Sequence, residues 1–130
     1  MINRELINPQ SIVVVGGSNN VHKPGGRLVR NLLDGKYKGE LYVVNAKEDA
    51  VQGLKSYHSV HDIPETELAI ISIPGPACPE AVDVLAKQKN VKAFIVISAG
   101  FGEETHEGAI LEEQMLKSIN EAGASLIGPN

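Results

Sequence analysis

The sequence predicts an α/β fold with a doubly wound parallel sheet, on two observations. First, short runs rich in isoleucine and valine recur along the chain, and they are nearly continuous instead of alternating with polar residues. Such runs are typical of strands buried on both faces of a parallel sheet. Second, segments with helical spacing separate the runs at about thirty residues per step, which is typical of βαβ units. Together they predict a five-stranded, Rossmann-like sheet in a single domain, residues 1–130.

The predicted elements follow in chain order. The strands are residues 12–15, 41–44, 68–73, 94–97 and 125–127. The helices carry apolar residues on one face, namely Leu28, Leu32 and Leu33, then Val82, Leu85 and Ala86, then Leu111, Met115, Ile119 and Ala122. Gly35 and Gly123 are predicted helix ends, and Pro79 is a predicted first-turn residue. Between the second and third strands, Ser59 and Asp62 stand at capping-box spacing and predict only a short helix.

Composition excludes several classes of partner. The net charge of −4 provides no basic field for nucleic acid, and aromatic residues are only 4% of the chain, with no tryptophan for base stacking. No apolar run approaches the length of a membrane span, so no membrane partner is expected. The single cysteine, Cys78, allows no internal disulfide. Without a signal-peptide pattern after the N-terminus, the expected location is the cytoplasm.

A doubly wound sheet binds ligands beyond the carboxyl ends of its strands, at the point where the strand order reverses. Four loops are predicted there: residues 16–26, 45–49, 74–78 and 98–103. The first has adjacent Gly16 and Gly17, and the next glycines are Gly25 and Gly26, so it matches neither the dinucleotide fingerprint nor a Walker loop. A strand, a glycine turn and a helix in succession still predict phosphate binding.

Within the first loop, Gly17 lets the backbone approach a phosphate, Ser18 and Asn19 supply polar side chains, and Lys23 adds a positive charge. The second loop discriminates between nucleotides. Sites for NAD carry an acid at the end of the second strand, whereas here Asn45 and Lys47 stand there. A lysine suits a phosphorylated ribose, as in NADP or the 3′-phosphate of coenzyme A.

The third and fourth loops carry little catalytic chemistry. The third has no nucleophile beside a base, so it is interpreted as a rigid apolar wall for an adenine or pantetheine arm. Cys78 is interpreted as a small apolar group. In the fourth, Ser98 supplies a hydroxyl, and Gly100 and Gly102 free the backbone. The four histidines are scattered, so neither a metal site nor a catalytic residue is predicted.

Five stretches in order resemble the N-terminal CoA-binding domain of ADP-forming acyl-CoA synthetases, the superfamily of acetate–CoA ligase and the succinyl-CoA synthetase α-subunit. They are NPQSIVVVGGSNN, YVVNAKED, AIISIPGPACPEAV, FIVISAGFGE and GASLIGPN. Ala46 stands where the family has a proline. The resemblance implies coenzyme A as the ligand.

The resemblance also implies a role for each loop. Ser18, Asn19 and Asn20 would hold the CoA phosphates, Asn45 and Lys47 would meet the 3′-phosphate end, Ile73 and Pro74 would flank the cofactor, and Ser98, Ala99 and Gly100 would line the pantetheine side. With Gly17 and Lys23, these are the twelve predicted CoA-binding residues.

The resemblance further implies that the chain is a piece of a longer enzyme. That enzyme would interconvert acyl-CoA, ADP and phosphate with a carboxylic acid, CoA and ATP. Its phosphohistidine and ATP-grasp parts would lie in the remaining domains or in a β subunit, so this piece would bind CoA without catalysing the reaction. Two other hypotheses stay open: an NAD(P)-binding regulatory or redox-sensing domain, and a self-standing interaction domain with an empty crevice.

Overall fold

The computed structural model describes residues 2–98 and 105–128. Its strands are β1 Ser11–Val15, β2 Glu40–Val44, β3 Ala50–Val51, β4 Leu54–Tyr57, β5 Leu68–Ile71, β6 Ala93–Val96 and β7 Ser125–Ile127. Its α-helices are α1 Arg4–Ile7, α2 Pro24–Asp34, α3 Cys78–Gln88 and α4 His106–Ala122, with 3₁₀ turns at Val60–Asp62 and Gly75–Ala77. Among the described residues, none of the helices has both the length and the apolar character needed to cross a bilayer.

The strands form one sheet in the order β3-β4-β2-β1-β5-β6-β7. Strands β4, β2, β1, β5, β6 and β7 are parallel, and β3 pairs antiparallel with β4. The chain runs from β1 to β2 on one side and later returns to β5 on the other side of β1. The strand order therefore reverses at β1, and the predicted doubly wound, Rossmann-like α/β fold is confirmed.

The predicted number of five strands was wrong, because the described residues form a sheet of seven. The five predicted strands are all present, and the hairpin of β3 and β4 extends the sheet beyond β2. Its turn consists of Gln52 and Gly53, both in the left-handed region with φ of 50° and 86°. Strand β3 has only two residues, and β4 has four that include Lys55 and Ser56, so no apolar periodicity reveals them. The short helix predicted after Ser59 is present as the first 3₁₀ turn, and Ser59 Oγ accepts from the N–H of His61.

Two cores explain the continuous isoleucine and valine runs. On one face, Val13 and Ile71 of the sheet pack with α3 and α4, whose Leu85 and Met115 are fully buried. On the other face, the neighbouring residues Ile12, Val14, Val43 and Ile70 pack against Val29 of α2. Because both faces are covered, apolar side chains are favoured on both faces of the central strands.

The predicted helix ends are confirmed. Helix α2 ends at Gly35, and α4 ends at Gly123, which adopts the left-handed conformation with φ of 68°. The N-terminus of α4 is capped by Thr105 Oγ1, which accepts from the N–H of Gly108. Pro79 lies in the first turn of α3.

Glycine is required where the first turn of α2 meets the loop after β1. Gly16 has φ of 93°, and a Cβ there would collide with the carbonyl oxygen of Ser72. A Cβ on Gly25 would collide with the carbonyl oxygen of Gly16, and one on Gly26 would collide with that of Asn20. The glycines thus allow the loop and the helix to pack backbone against backbone.

We expect Gly25→Ala to destabilise the chain. Alanine inside a helix is ordinarily favoured over glycine by about 1 kcal/mol, but here the added methyl group overpacks the contact with Gly16. Urea denaturation should show the free energy of unfolding lowered by about 1–3 kcal/mol. The matched control is Gly35→Ala, where the nearest atom to the new Cβ lies 3.1 Å away. That distance is a tight contact and not a collision, so the control should lower the free energy of unfolding by less than Gly25→Ala does. A Gly25→Ala chain as stable as the native one would contradict this account of the loop.

Candidate functional site

A cleft opens at the carboxyl edge of the sheet, between the ends of β1 and β5. It has a volume of about 300 Å³, and its lining is Gly16, Gly17, Ser18, Lys23, Pro24, Gly25, Asn45, Ser72, Ile73 and Pro74. Six of the twelve predicted CoA-binding residues are among these. The position agrees with the edge that the sheet topology predicts for a ligand.

Unpaired backbone donors distinguish the glycine loop, which is the first predicted loop, residues 16–26. The N–H groups of Gly17, Ser18 and Asn19 have no acceptor within residues 2–98 and 105–128. The carbonyls of Gly17 and Ser18 accept hydrogen bonds from the side chains of Asn45 and Gln52. Because C=O and N–H point in opposite directions across a trans peptide, the N–H groups of Ser18 and Asn19 face away from those side chains. Successive free N–H groups of this kind form an anion-binding nest.

The charges beside the loop favour an anion. Helix α2 begins at Pro24 with its N-terminus at the cleft, so the positive end of the helix dipole lies there. Lys23 is the N-cap residue, and no carboxylate lies within salt-bridge distance of Lys23 or Lys47 in the part of the chain described. A phosphate in the cleft would therefore meet Lys23, with Lys47 nearby, and the described residues offer neither lysine a carboxylate partner.

Asn45 connects the first and second loops. Its Nδ2 donates to the carbonyl of Gly17 at 2.8 Å, and its Oδ1 accepts from the N–H groups of Lys47 at 2.8 Å and Glu48 at 3.0 Å. The turn that carries Lys47 is therefore fixed against the glycine loop. Lys47 is exposed and adjoins the cleft without lining it.

Asn19 and Asn20 have different surroundings in the loop. The side chain of Asn19 contacts the β3–β4 hairpin: its Nδ2 donates to the carbonyl of Ala50 at 3.1 Å, and its Oδ1 accepts from the N–H of Gln52 at 2.7 Å. Asn20 folds back onto its own loop, where its Oδ1 accepts from the N–H of His22 at 3.0 Å and its own N–H donates to Ser18 Oγ at 2.9 Å. Asn19 thus holds the loop with its side chain and presents its backbone N–H.

The apolar wall of the cleft is ordered by Ser98. Its hydroxyl accepts from the N–H of Ile73 at 2.9 Å and donates to the carbonyl of Ile71 at 3.3 Å, which ties the end of β6 to the end of β5. Ala99 and Gly100 lie outside the described residues. Cys78 is fully buried behind this wall, with Sγ 3.7 Å from the carbonyl of Ile73, and burial raises the pKa of its thiol.

Sequence reasoning missed Gln52. Its Nε2 donates to the carbonyls of Ser18 and Gly26, both at 2.9 Å, so it links the glycine loop to the first turn of α2. Gln-Gly is not among the dipeptides that signal a tight hairpin turn, and nothing local indicates which carbonyls the side chain reaches. In the described part of the chain, no three histidine, cysteine, aspartate or glutamate side chains cluster as metal ligands would.

Residues 10–130 match the family described as CoA binding domain. The chain belongs to this family. It is 39% identical over 128 residues to the acetate–CoA ligase (ADP-forming) II of Archaeoglobus fulgidus, a match that covers 98% of this chain and 19% of that enzyme. It is 39% identical over 127 residues to the alpha subunit of acetate–CoA ligase (ADP-forming) II of Pyrococcus furiosus, covering 96% of this chain and 27% of that subunit.

A solved structure agrees with these relatives. The apo form of the dinucleotide forming acetyl-coenzyme A synthetase 1 of Ca. Korarchaeum cryptofilum superposes with a TM-score of 0.86 at 34% identity, over 98% of this chain and 27% of that one. The CoA-binding domain described here therefore spans about a fifth to a quarter of the two ligase sequences, 19% and 27% of their lengths.

We expect Asn45→Asp to weaken the link between the two loops of this CoA-binding domain. Aspartate keeps the acceptor for Lys47 and Glu48 but brings a carboxylate against the carbonyl of Gly17. The free energy of unfolding at pH 7 should fall by about 1–3 kcal/mol, the cost of a broken hydrogen bond that leaves an unpaired group. Contact with the carbonyl raises the pKa of the new carboxyl, because only the protonated form can donate to it. The difference from the native chain should therefore shrink as the pH falls through that raised pKa, and it should be smallest at and below about pH 4, the ordinary pKa of an aspartate.

Denaturation at several pH values, with Asn31→Asp on the exposed side of α2 as the control, measures this effect. Asn31 is exposed and its side chain makes no hydrogen bond within the described residues. Equal effects of the two substitutions at pH 7 would exclude a special contribution from Asn45.

Proposed function

We propose that the cleft binds coenzyme A through its diphosphate and that the chain is the CoA-binding part of an ADP-forming acyl-CoA synthetase. The observation that carries the proposal is the set of N–H groups at Gly17, Ser18 and Asn19, which have no acceptor among the described residues and lie in the loop that leads into the N-terminus of α2. In a member of a CoA-binding family, the diphosphate is the part of the ligand that such donors recognise.

The rest of the ligand would extend along the carboxyl edge in both directions. A cleft of about 300 Å³ takes the diphosphate and leaves the adenosine and pantetheine arms outside it. The 3′-phosphate would lie towards Asn45 and Lys47. The pantetheine arm would lie along Ile73 and Pro74, with Ser98, Ala99 and Gly100 beyond.

Asn45 also favours CoA over NAD. The residue at the end of β2 in an NAD site accepts hydrogen bonds from the ribose hydroxyls. Here Asn45 Oδ1 already accepts from two backbone N–H groups, those of Lys47 and Glu48. An amide oxygen has two lone pairs, so none is left for a ribose hydroxyl.

The chain would bind CoA while other parts of the enzyme carry out the chemistry. No described nucleophile stands beside a base at the cleft, since Cys78 is buried and its pKa is raised. The phosphohistidine, the ATP-grasp part and the choice of acyl group would belong to further domains or to a β subunit. The expected compartment is the cytoplasm, where a thiol such as Cys78 stays reduced.

Calorimetric titration of the chain with CoA, NADH and NADPH tests the ligand. We expect saturable binding of CoA at one site and no saturation by NADH. Binding of NADPH without binding of CoA would assign Lys47 to a 2′-phosphate instead. Saturation by NADH but not by CoA would overturn the proposal.

We expect Lys47→Ala to weaken binding of CoA more than binding of 3′-dephospho-CoA. A charge-assisted contact contributes roughly 1.5–3 kcal/mol, so the affinity for CoA should fall at least tenfold, while that for the dephosphorylated ligand should change little. Lys38→Ala is the matched control, because Lys38 is equally exposed but lies just before β2, at the opposite edge of the sheet. Equal losses of affinity for both ligands would show that Lys47 does not contact the 3′-phosphate.

A further inference from the structure

We infer that Gln52 is a positioning residue for the glycine loop after β1. From the β3–β4 hairpin it binds the carbonyls of Ser18 and Gly26, and it thereby orients the N–H groups of the loop towards the ligand. The inference rests on the proposed function, because it concerns the same cleft. Gln52 itself does not line the cleft. Its effect on a ligand would pass through the loop.

The contact between Gln52 and the loop is bidentate. Nε2 lies 2.9 Å from the carbonyl oxygen of Ser18 and 2.9 Å from that of Gly26, so both of its hydrogens are used. Ser18 belongs to the loop and Gly26 to the first turn of α2. One amide therefore fixes the distance between the two parts of the chain that supply the anion site.

A second pair of hydrogen bonds joins the same hairpin to the loop. The backbone N–H of Gln52 donates to Asn19 Oδ1 at 2.7 Å, and Asn19 Nδ2 donates to the carbonyl of Ala50 at 3.1 Å. The hairpin turn is thus bonded to Ser18 and Asn19 together. These are two of the three loop residues whose N–H groups have no acceptor among the described residues.

Glutamine is a poor choice for the hairpin by itself. Gln52 has φ of 50° and Gly53 has φ of 86°, a pair of left-handed residues at which asparagine followed by glycine is preferred. Moreover, Oε1 of Gln52 is buried and has no donor among the described residues. What glutamine adds over asparagine is one methylene of length, which is what the reach to both carbonyls requires.

The orientation of the peptides gives the consequence for binding. Gln52 fixes the carbonyl of Ser18, and across the same peptide the N–H of Asn19 points the opposite way. Asn45 does the same for Gly17 and the N–H of Ser18. If Gln52 were replaced by a shorter residue, the ligand would have to order the loop as it binds. That ordering costs free energy, so the affinity for the ligand would fall.

The test compares Gln52→Asn and Gln52→Gly with the native chain. Asparagine and glycine both suit the left-handed turn, so the hairpin should remain folded, while neither side chain reaches both carbonyls. The control is Lys36→Gly, which relieves a left-handed residue with φ of 54° at an exposed site after α2. Calorimetry gives the Kd for CoA and for 3′-dephospho-CoA, and ¹⁵N relaxation gives the order parameters of the Ser18 and Asn19 amides without ligand.

We expect both Gln52 variants to raise the Kd about tenfold, and by the same factor for both ligands, since both carry the diphosphate. The order parameters of the Ser18 and Asn19 amides should fall in the same variants, and Lys36→Gly should change neither measurement. Thermal unfolding followed by circular dichroism checks that each variant is folded at the assay temperature.

Three results would overturn the inference. The first is a Kd of Gln52→Asn for CoA within twofold of that of the native chain. The second is a loss of affinity in the Gln52 variants while the order parameters of the Ser18 and Asn19 amides stay unchanged. The third is a loss of affinity for CoA but not for 3′-dephospho-CoA. If the native chain itself does not bind CoA, the proposed function fails. The order parameters without ligand then decide whether Gln52 holds the loop, so the two failures can be distinguished.

Discussion

The anion site depends on one close approach, that of the first turn of α2 to the loop after β1. Gly25 lies against the carbonyl of Gly16, and Gly16 in turn lies against the carbonyl of Ser72. A side chain at either glycine would separate the helix from the strand ends. The N-terminus of α2, the loop and the end of β5 meet at one cleft because nothing larger than a hydrogen stands between them.

Side-chain amides then determine what this packed loop presents. Asn45, Gln52 and Asn19 together bond to four backbone carbonyls, of which three belong to the loop and the first turn of α2. Carbonyl oxygens would repel a phosphate, so turning them towards protein amides leaves N–H groups for the ligand. The binding surface is therefore mostly backbone, and its orientation is controlled by residues that lie behind it.

Local charge differs from the charge of the whole chain. The net charge is −4, yet the described part of the cleft carries Lys23, with Lys47 beside it, and no carboxylate pairs with either. Some of the acidic side chains elsewhere are bonded to basic ones, as in the pairs of Glu67 with Arg4 and Glu121 with Lys87. Screening limits the reach of those distant charges to about 8–10 Å, so the helix dipole and the free lysines dominate at the cleft.

The sequence by itself determined the doubly wound parallel fold and the three longer helices, and it predicted the edge at which a ligand would bind. Burial on both faces leaves continuous isoleucine and valine runs, and helix ends such as Gly35 and Gly123 are marked locally, so both can be recognised without the fold.

The tertiary structure decided how the loop is held. The β3–β4 hairpin has no apolar period, and the carbonyls that Gln52 reaches lie 34 and 26 residues away. It also decided what two of the glycines do: Gly25 allows the carbonyl of Gly16 to approach, and Gly16 allows that of Ser72. Contacts between residues so far apart in sequence depend on how the whole chain packs, and no local sequence pattern predicts that packing.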